Sequence, residues 1–348
     1  MTFDIAQEAH RLTSDLQRAR PKVVWTDFAL TTVATYAGLA IAVLADGALL
    51  RLAGALLSIV ALYRGVSFIH EITHLRASHV PGFKFAWNAV FGVVFLTPSL
   101  FYEGVHNLHH IKTRYGTIRD PEYLPLSHRG FIDIFVFVAI AALAPLGGFL
   151  RFGILGPLSF AIPAFRKTVI ANFSSLTINP DFRREDLSFA KKPAWLAQEI
   201  AAWIWSWAMV AIVWSGGGGA RAVLTGAVLM SVVAVVNQVR TLVAHAWTNE
   251  GEQMSVAEQL RDTLNVPPPD WTSLIWAPVG LRYHALHHLL PGIPYHNLGE
   301  AHRRLLASLP ADSDYHYVQA RGLAPALGAL FGRVANARKT GPRSWRAL

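Results

Sequence analysis

Long apolar runs separated by short polar segments dominate the chain. Residues 24–45 and 48–69 are each long enough to cross about 30 Å of hydrocarbon as a helix, and only Asp46 and Gly47 separate them. A second pair of runs covers 194–214 and 220–247, joined by a glycine-rich turn. The pattern predicts four transmembrane helices arranged as two hairpins.

Two further apolar segments are interrupted and predict something other than full crossings. The run 87–102 is short and contains Pro98, so it predicts a re-entrant or partly immersed helix. The run 131–165 contains Pro145, Pro157 and several glycines, and it predicts interfacial helices that lie on the membrane. The sequence therefore predicts an all-α integral membrane protein.

The composition agrees with that class. Of 348 residues, 53% are hydrophobic and 15% are charged, whereas soluble domains average about 25% charged residues. Cysteine is absent, which excludes disulfides, iron–sulfur ligation and thiolate zinc sites within the chain.

The net charge of +9 comes from basic residues in the segments between the apolar runs. They do not form a stripe with interleaved aromatic residues, so we do not expect nucleic-acid binding. Basic loops are typical of the cytoplasmic side, where we expect both termini, on a bacterial inner membrane. Residues 1–23, which lack signal-peptide features, predict a cytosolic segment, 24–305 predict the membrane domain, and 306–348 predict a basic cytosolic segment.

Nine histidines stand in four groups at the ends of apolar segments. Neutral imidazole is a common ligand for iron, copper and zinc, and positions i and i+4 share a helix face. Nine imidazoles exceed the needs of one ion, so the groups predict two transition metals in a histidine-rich cap. The nine are His70 and His74 in HEITH, His106, His109 and His110 in HNLHH, His245 in VAHAW, and His284, His287 and His288 in HALHH.

Six other histidines belong to no such group, and we expect ordinary structural or surface roles for them. His79 and His296 lie closest to a group and are the first candidates for an exception. The six are His10, His79, His128, His296, His302 and His316.

Two other functions fit part of the pattern. HEITH also matches an intramembrane zinc metalloprotease in which His70 and His74 bind zinc and Glu71 is the general base. That interpretation leaves the other histidines unused, because a catalytic zinc keeps three protein ligands and a water. A metal transporter needs polar groups inside its spans, and residues 27–68 and 195–236 contain few.

Together, HEITH, HNLHH, HALHH and His245 with the two predicted hairpins resemble the membrane fatty-acid desaturase and hydroxylase superfamily over about residues 24–305. The resemblance implies a cytosolic cap with a non-haem di-iron centre that uses O2, and it gives ligand roles to all nine histidines. Bacterial members of this superfamily include desaturases, hydroxylases and decarboxylases that form 1-alkenes from fatty acids.

One position departs from the pattern of the superfamily. The animal acyl-CoA desaturases have an asparagine one helical turn before the histidine of the last transmembrane helix, as a water-mediated ligand. Here that position is Thr241, and Asn237 lies a further turn back. Three alternatives follow for a metal-bound water: it is held by Thr241, by Asn237 or by neither. For Arg240 beside them we expect an ion pair with Glu250.

Several charged residues are candidates for roles around the metals. A ligating imidazole usually donates its other N–H to an acceptor that fixes the ring, so carboxylates near the histidine groups are candidate acceptors. Arg282, just before the third group, is a candidate partner for a substrate carboxylate. The candidate acceptors are Glu71, Glu103, Asp120 and Glu122.

The expected reaction is the O2-dependent oxidation of an unactivated C–H bond in a fatty acyl chain held in an apolar tunnel. Desaturation or hydroxylation ranks slightly ahead of oxidative decarboxylation of free fatty acids to terminal 1-alkenes. The chain has no haem-binding, flavin or iron–sulfur motif. Electrons are therefore expected from a ferredoxin or cytochrome b5-like donor with its reductase, docked on the positive cap.

Overall fold

The structure is a computed structural model that describes residues 4–340, with side chains to residue 337. Within that range the chain is helical and forms no strands, only isolated β-bridges. Four long helices make two antiparallel hairpins, which confirms the predicted all-α membrane architecture. The first eleven helices are α1 Ile5–Thr13, α2 Pro21–Leu44, α3 Ala48–His74, α4 Phe83–Trp87, α5 His106–His109, α6 Phe131–Ala139, α7 Ala144–Phe149, α8 Gly156–Ala161, α9 Pro163–Phe173, α10 Pro193–Ser215 and α11 Gly217–Leu242.

The remaining helices belong to the polar half of the chain and are connected by loops. Four of them have seven residues or fewer, and the last one has 18. They are α12 Val256–Asp262, α13 Ser273–Trp276, α14 His284–Leu289, α15 Leu298–Ser308, α16 Asp314–Tyr317 and α17 Leu323–Thr340.

Small residues let α2 and α3 pack closely. A Cβ atom at Gly38 would lie 2.6 Å from the Ser58 nitrogen, and one at Gly54 would lie 2.7 Å from the Ala42 nitrogen. The Ser58 hydroxyl donates to the Thr35 carbonyl at 3.0 Å across the same interface. Membrane helices depend on such close backbone approach, because lipid gives no hydrophobic drive for their association.

The second hairpin turns tightly at Gly216 and Gly217, whose φ values of 74° and 69° are in the left-handed region. Because α10 and α11 are antiparallel, the start of α10 lies at the same end of the bundle as the end of α11. This end faces the histidine groups and is called the histidine end below. Helix α3 also finishes there, with HEITH in its last turns.

The segment after α3 enters the bundle and returns. Its first helix, α4, starts at the histidine end, where the Phe83 ring packs against Phe28. Deeper in the bundle, the Val90 carbonyl accepts a hydrogen bond from Tyr36 near the middle of α2. The return half hydrogen-bonds to the first turns of α10, so both ends of the segment lie at the histidine end.

Residues 131–161 are a fifth helical run with the length and hydropathy of a membrane span. The run begins at the histidine end, where Ile134 packs with Leu242. It reaches the opposite end of the bundle at Leu146, which lines a cavity with Trp214. Its last turn lies again beside the first turns of α10. The run is therefore a bent, re-entrant element with both ends at the histidine end.

The sequence predicted interfacial helices for 131–165, and here the structure differs by placing the run alongside α10 and α11. Pro145 and the glycines after it lie at the deepest point, followed by a π-helical stretch at Leu150–Leu155. Proline and π-turns are ordinary causes of helix bending, and flanking helices can satisfy the backbone groups that a bend frees.

The N-terminal and C-terminal segments pack onto the cap. Ala9 in α1 lies in one cluster with Leu286 and Leu305, and Leu330 in α17 lies in another with Trp247. The described parts of the predicted terminal segments, 1–23 and 306–348, therefore pack with the histidine groups in one structure.

A charged cluster is buried where the re-entrant run meets α10. Glu199 is 1% exposed and accepts from Arg151 at 2.6 Å and from Arg166 at 2.7 Å. The Ser174 hydroxyl accepts from Arg151 as well. Charges inside a membrane region are costly unless they are paired in this way.

Replacing Glu199 by glutamine should therefore destabilise the protein, because it leaves two guanidinium groups without a carboxylate. Breaking a buried pair from one side costs about 3–5 kcal/mol. Thermal unfolding of Glu199→Gln in detergent should show a clearly lowered Tm. Glu185→Gln, which removes an exposed partner of Arg114, is the matched control and should leave Tm nearly unchanged. Equal Tm values for the two variants would contradict this assignment.

Candidate metal centre

Four parts of the chain bring the nine histidines to one place. HEITH forms the last turns of α3, HNLHH forms α5 and the residue after it, HALHH forms most of α14, and His245 follows the end of α11. The motifs HEITH, HNLHH and HALHH are called the first, second and third histidine boxes below. Because each box is helical, its histidines at i and i+4 point in one direction. The boxes face each other across the histidine end of the bundle.

The nine side chains form two groups in which every candidate ligand atom lies within 4.8 Å of the others. Group one has five imidazoles and group two has four, so each group is the size expected around one metal. Group one contains His70, His74, His106, His110 and His287, and group two contains His109, His245, His284 and His288.

The Nε2 atoms within a group approach each other closely. The distance is 3.0 Å between His106 and His110, 3.2 Å between His110 and His287, and 2.9 Å between His245 and His284. Metal–imidazole bonds are about 2.1 Å long, so two nitrogens at a right angle around one metal lie about 3 Å apart. The spacing of the nitrogens matches shared coordination.

The partners of the Nδ1 atoms show which Nε2 atoms carry lone pairs. His109 Nδ1 lies 2.8 Å from Asp120 Oδ2, and His106 Nδ1 lies 2.8 Å from Glu122 Oε1. A carboxylate accepts, so each Nδ1 carries the proton and each Nε2 is free to bind a metal.

His245 is held in the same tautomer by a relay. The Tyr115 hydroxyl donates to Asp262 Oδ2 at 2.8 Å and therefore accepts from His245 Nδ1, also at 2.8 Å. The Nε2 lone pair of His245 therefore faces His284 Nε2 at 2.9 Å and is free to bind a metal.

Orphaned polar atoms give a direct test of whether a metal fits. The Nε2 atoms of His70 and His74 are buried and have no hydrogen-bond partner among the described residues. A buried polar atom without a partner is costly, and metal coordination would satisfy both atoms. The residues present therefore fit two metal ions.

Burial keeps most of the cap imidazoles neutral. It lowers the pKa of His106, His284 and His288 well below the ordinary value of 6.5, and neighbouring imidazoles add to the effect. At His109 burial also opposes the charge, but Asp120 raises the pKa above its ordinary value. Neutral imidazole is the ligand form, and an acceptor on Nδ1 increases its basicity.

Two of the four predicted acceptors contact ligating histidines in the structure, and two do not. Asp120 and Glu122 contact His109 and His106 as described, and burial raises the pKa of Glu122 to about 7, with His109 and Tyr102 opposing. Glu103 instead pairs with Lys84 at 2.5 Å.

Glu71 likewise contacts none of the ligating rings through a hydrogen bond. It accepts from the Tyr295 amide at 3.2 Å, and it does not line the cavity that contains His70. It lines a separate cavity together with His74.

The arginine expectations also change. Arg282 donates to the carbonyls of Val266 and Asp270 and does not line the cavity beside the histidines, so it is not placed to bind a substrate carboxylate. Arg240 forms no ion pair with Glu250, which lies 3.7 Å from His128 instead. The Arg282 side chain is held by hydrogen bonds to backbone oxygens, and no sequence pattern predicts such bonds.

Sequence reasoning missed the Tyr115–Asp262 relay. Asp262 lies at the end of α12, 17 residues after His245, and its other oxygen accepts from Tyr123 at 3.1 Å. Tyr115 follows the second box by five residues, but no spacing rule connects it to His245. Only the tertiary structure brings the relay together.

A cavity of about 360 Å³ opens beside the histidines. His70, His106, His109, His245 and His284 line it, together with apolar and polar residues of α11. Asn237 and Thr241 are among the latter, but the Thr241 hydroxyl donates to the Asn237 carbonyl at 2.9 Å. Both residues therefore line the cavity beside the histidines.

A second, apolar cavity of about 760 Å³ lies deeper in the bundle, between α2, the two re-entrant segments, α10 and α11. Met230 lines both cavities. The apolar space is thus adjacent to the space beside the histidines and can hold a lipid tail.

Comparison with known proteins agrees with this arrangement. The family model described as fatty acid desaturase matches residues 46–321. The chain belongs to the fatty acid desaturase family. A curated relative, the ceramide hydroxylase of Caulobacter vibrioides (strain NA1000 / CB15N), is 51% identical over 332 residues, covering 95% of this chain and 94% of the relative.

Family membership establishes several expectations at once. The protein is a membrane-bound oxidoreductase of the desaturase and hydroxylase type that acts on lipid substrates, as the sequence predicted. The alternative of oxidative decarboxylation to 1-alkenes receives no support from either comparison. The metalloprotease and transporter interpretations do not describe this family.

Asp120 should strengthen metal binding through His109, because its carboxylate fixes the ring and raises its basicity. Loss of such a partner typically weakens metal affinity about 10–100-fold. We expect Asp120→Asn to bind Fe²⁺ that much more weakly in a chelator competition. Asp181→Asn, in an exposed loop, is the control and should bind like the wild type. Unchanged affinity in Asp120→Asn would show that the carboxylate plays no such role.

Proposed function

We propose that this protein is an O2-dependent di-iron hydroxylase that acts on a ceramide-type lipid. The observation that carries the proposal is the pair of imidazole groups with converging Nε2 atoms at the inner end of a lipid-sized apolar space. The 51% identity to a ceramide hydroxylase supports both the reaction and the substrate class.

The nine histidines would hold two irons, five from group one and four from group two. When bound, the irons would activate O2 and supply the oxidant for a C–H bond that no side chain can attack. One oxygen atom enters the lipid as a hydroxyl group. The other leaves as water after two electrons and two protons have been added.

The side chains of this protein prepare the site for that reaction. Asp120, Glu122 and the Tyr115–Asp262 relay hold protons on the Nδ1 atoms and leave Nε2 for the metals. The apolar walls exclude water and fix the lipid, so that one carbon is presented to the metals. Selectivity for that carbon follows from how the lipid lies in the two cavities.

The orientation in the membrane is also part of the proposal. The basic segments between the apolar runs support a cytoplasmic histidine end in a bacterial inner membrane. Soluble electron carriers would reach the metals from that side.

The reaction can be tested in a ceramide-producing bacterial host. Expression of the chain should add one oxygen atom to host ceramides, measured by liquid chromatography with tandem mass spectrometry. His109→Ala should abolish the product, and His10→Ala, on the exposed surface of α1, should retain it. Ceramides that lose two hydrogens would identify a desaturase, and a terminal alkene would overturn the proposal.

We also propose that a ferredoxin or cytochrome b5-like protein docks on the basic cap. Lys191 and Lys192 are exposed at the histidine end, just before α10. The double variant Lys191→Glu/Lys192→Glu should slow reduction by the donor, and the wild-type rate should fall as salt is raised, because opposite charges steer encounter.

The matched control reverses two charges at the other end of the bundle, Arg51→Glu/Arg221→Glu. Its rate of reduction should equal that of the wild type in stopped-flow measurements. A wild-type rate independent of salt, with no effect of the lysine reversal, would refute charge-steered docking at these residues.

A further inference from the structure

Arg240 is a cation inside the cavity beside the histidines. It lies in the last turn of α11 and lines the 360 Å³ cavity together with His70, His245 and His284. A charged side chain in a membrane helix is costly, and when it faces an internal cavity it is by default a candidate functional residue.

Two other arginines inside the bundle are paired with carboxylates, and Arg240 is not. Arg64 pairs with Asp27, and Arg151 pairs with Glu199. Arg240 belongs to none of the ion pairs between described residues: no carboxylate oxygen among them lies within 4.0 Å of an Arg240 nitrogen. The guanidinium therefore remains available to a ligand.

The hydrogen bonds of Arg240 within the protein are few. One terminal nitrogen donates to Asn237 Oδ1 at 3.3 Å, and the Tyr63 hydroxyl lies beside the guanidinium. The Nε atom is buried and has no partner among the described residues. Guanidinium has five N–H donors, so oxygen atoms of a bound ligand would satisfy what the protein leaves open.

The two cavities have different polarity. The 760 Å³ cavity is lined by apolar and aromatic side chains and by no charged residue. The 360 Å³ cavity has a polar wall formed by Asn237, Gln238, Arg240 and Thr241 on α11. A lipid would place its tail in the first cavity and its polar group in the second.

The charges of the lining select the kind of polar group. Arg240 is the single Lys or Arg residue in the lining described for the 360 Å³ cavity, and Glu122 is the single carboxylate. Glu122 already accepts from His106 Nδ1, so the lining leaves the guanidinium as the charged donor for a group rich in oxygen acceptors, such as the amide and hydroxyl groups of a ceramide.

We propose that Arg240, with Asn237, binds the amide or hydroxyl oxygen of a neutral lipid inside the cavity and thereby positions a carbon near the polar group for oxidation. The inference rests on the proposed function and adds its regiochemistry. Because the polar wall and the metal-facing histidines line one cavity of less than half the volume of the tail space, the oxidised carbon lies a few bonds from the bound oxygen. Arg240 is a positioning residue in this account.

The first test needs no variant. The position of the new hydroxyl group in the ceramide product of the wild type is read by tandem mass spectrometry. A hydroxyl within a few carbons of the amide is expected, and a hydroxyl in the middle or at the end of a chain would overturn the proposal. A wild type that oxidises no ceramide would instead refute the proposed function.

The second test compares Arg240→Met with Arg240→Lys, and with Arg221→Met at the exposed far end of α11 as the control. A hydrogen bond to a charged group is worth about 1.5–3 kcal/mol, so Arg240→Met should raise KM for ceramide about 10–100-fold with wild-type iron content. Arg240→Lys should recover part of the loss. An unchanged KM and an unchanged hydroxyl position in Arg240→Met would overturn the proposal.

A binding measurement tests the role of Arg240 separately from the proposed ceramide hydroxylation. Iron-loaded protein, kept free of O2 and reductant, is titrated with a short-chain ceramide and with an alkane of similar length, followed by tryptophan fluorescence. Wild type should prefer the ceramide, and Arg240→Met should lose most of that preference while still binding the alkane. Equal preference in both proteins would overturn the role of Arg240, whether or not the protein hydroxylates ceramide.

Discussion

Nitrogen atoms of nine imidazoles converge at the histidine end of the bundle, and the packing of the cap depends on how their lone pairs are neutralised. Nε2 atoms of neighbouring rings lie 2.9–3.2 Å apart, and carboxylates and a tyrosine relay hold the protons of His106, His109 and His245 on Nδ1, so that their Nε2 atoms present lone pairs. Two metal ions would satisfy the facing nitrogens of both groups at once. The second and third boxes form only short helices, α5 and α14, so metal coordination would also tie these elements to α3.

The membrane imposes the complementary constraint. The long helices place apolar surface toward lipid, and charged groups inside the bundle pair with each other, as Glu199 does with Arg151 and Arg166. Two re-entrant segments widen the bundle without crossing it and enclose an apolar space adjacent to the cavity beside the histidines. Arg240 departs from this rule of internal pairing, and its position beside the histidines gives the departure a function in binding a polar group.

Sequence patterns predicted the parts of this structure that depend on periodic or repeated signals. Apolar runs of spanning length predicted the four long helices to within a few residues, except that α11 ends before His245, and the histidine boxes predicted the residues that converge. The roles of Asp120 and Glu122 as acceptors could be predicted because these residues follow the second box closely. The roles of Glu103, Arg282 and Asp262 could not, since their partners lie far away in the chain or are backbone carbonyls. The path of 131–161 depends on packing against α10 and α11, which local hydropathy does not encode.

The central claim is that the two histidine groups each hold one iron. Anomalous X-ray scattering at the iron edge, recorded from crystals of iron-loaded protein, tests it directly because it locates each metal among the side chains. The account predicts two peaks per chain, one enclosed by His70, His74, His106, His110 and His287 and the other by His109, His245, His284 and His288. A single peak, or peaks at other residues, would contradict it.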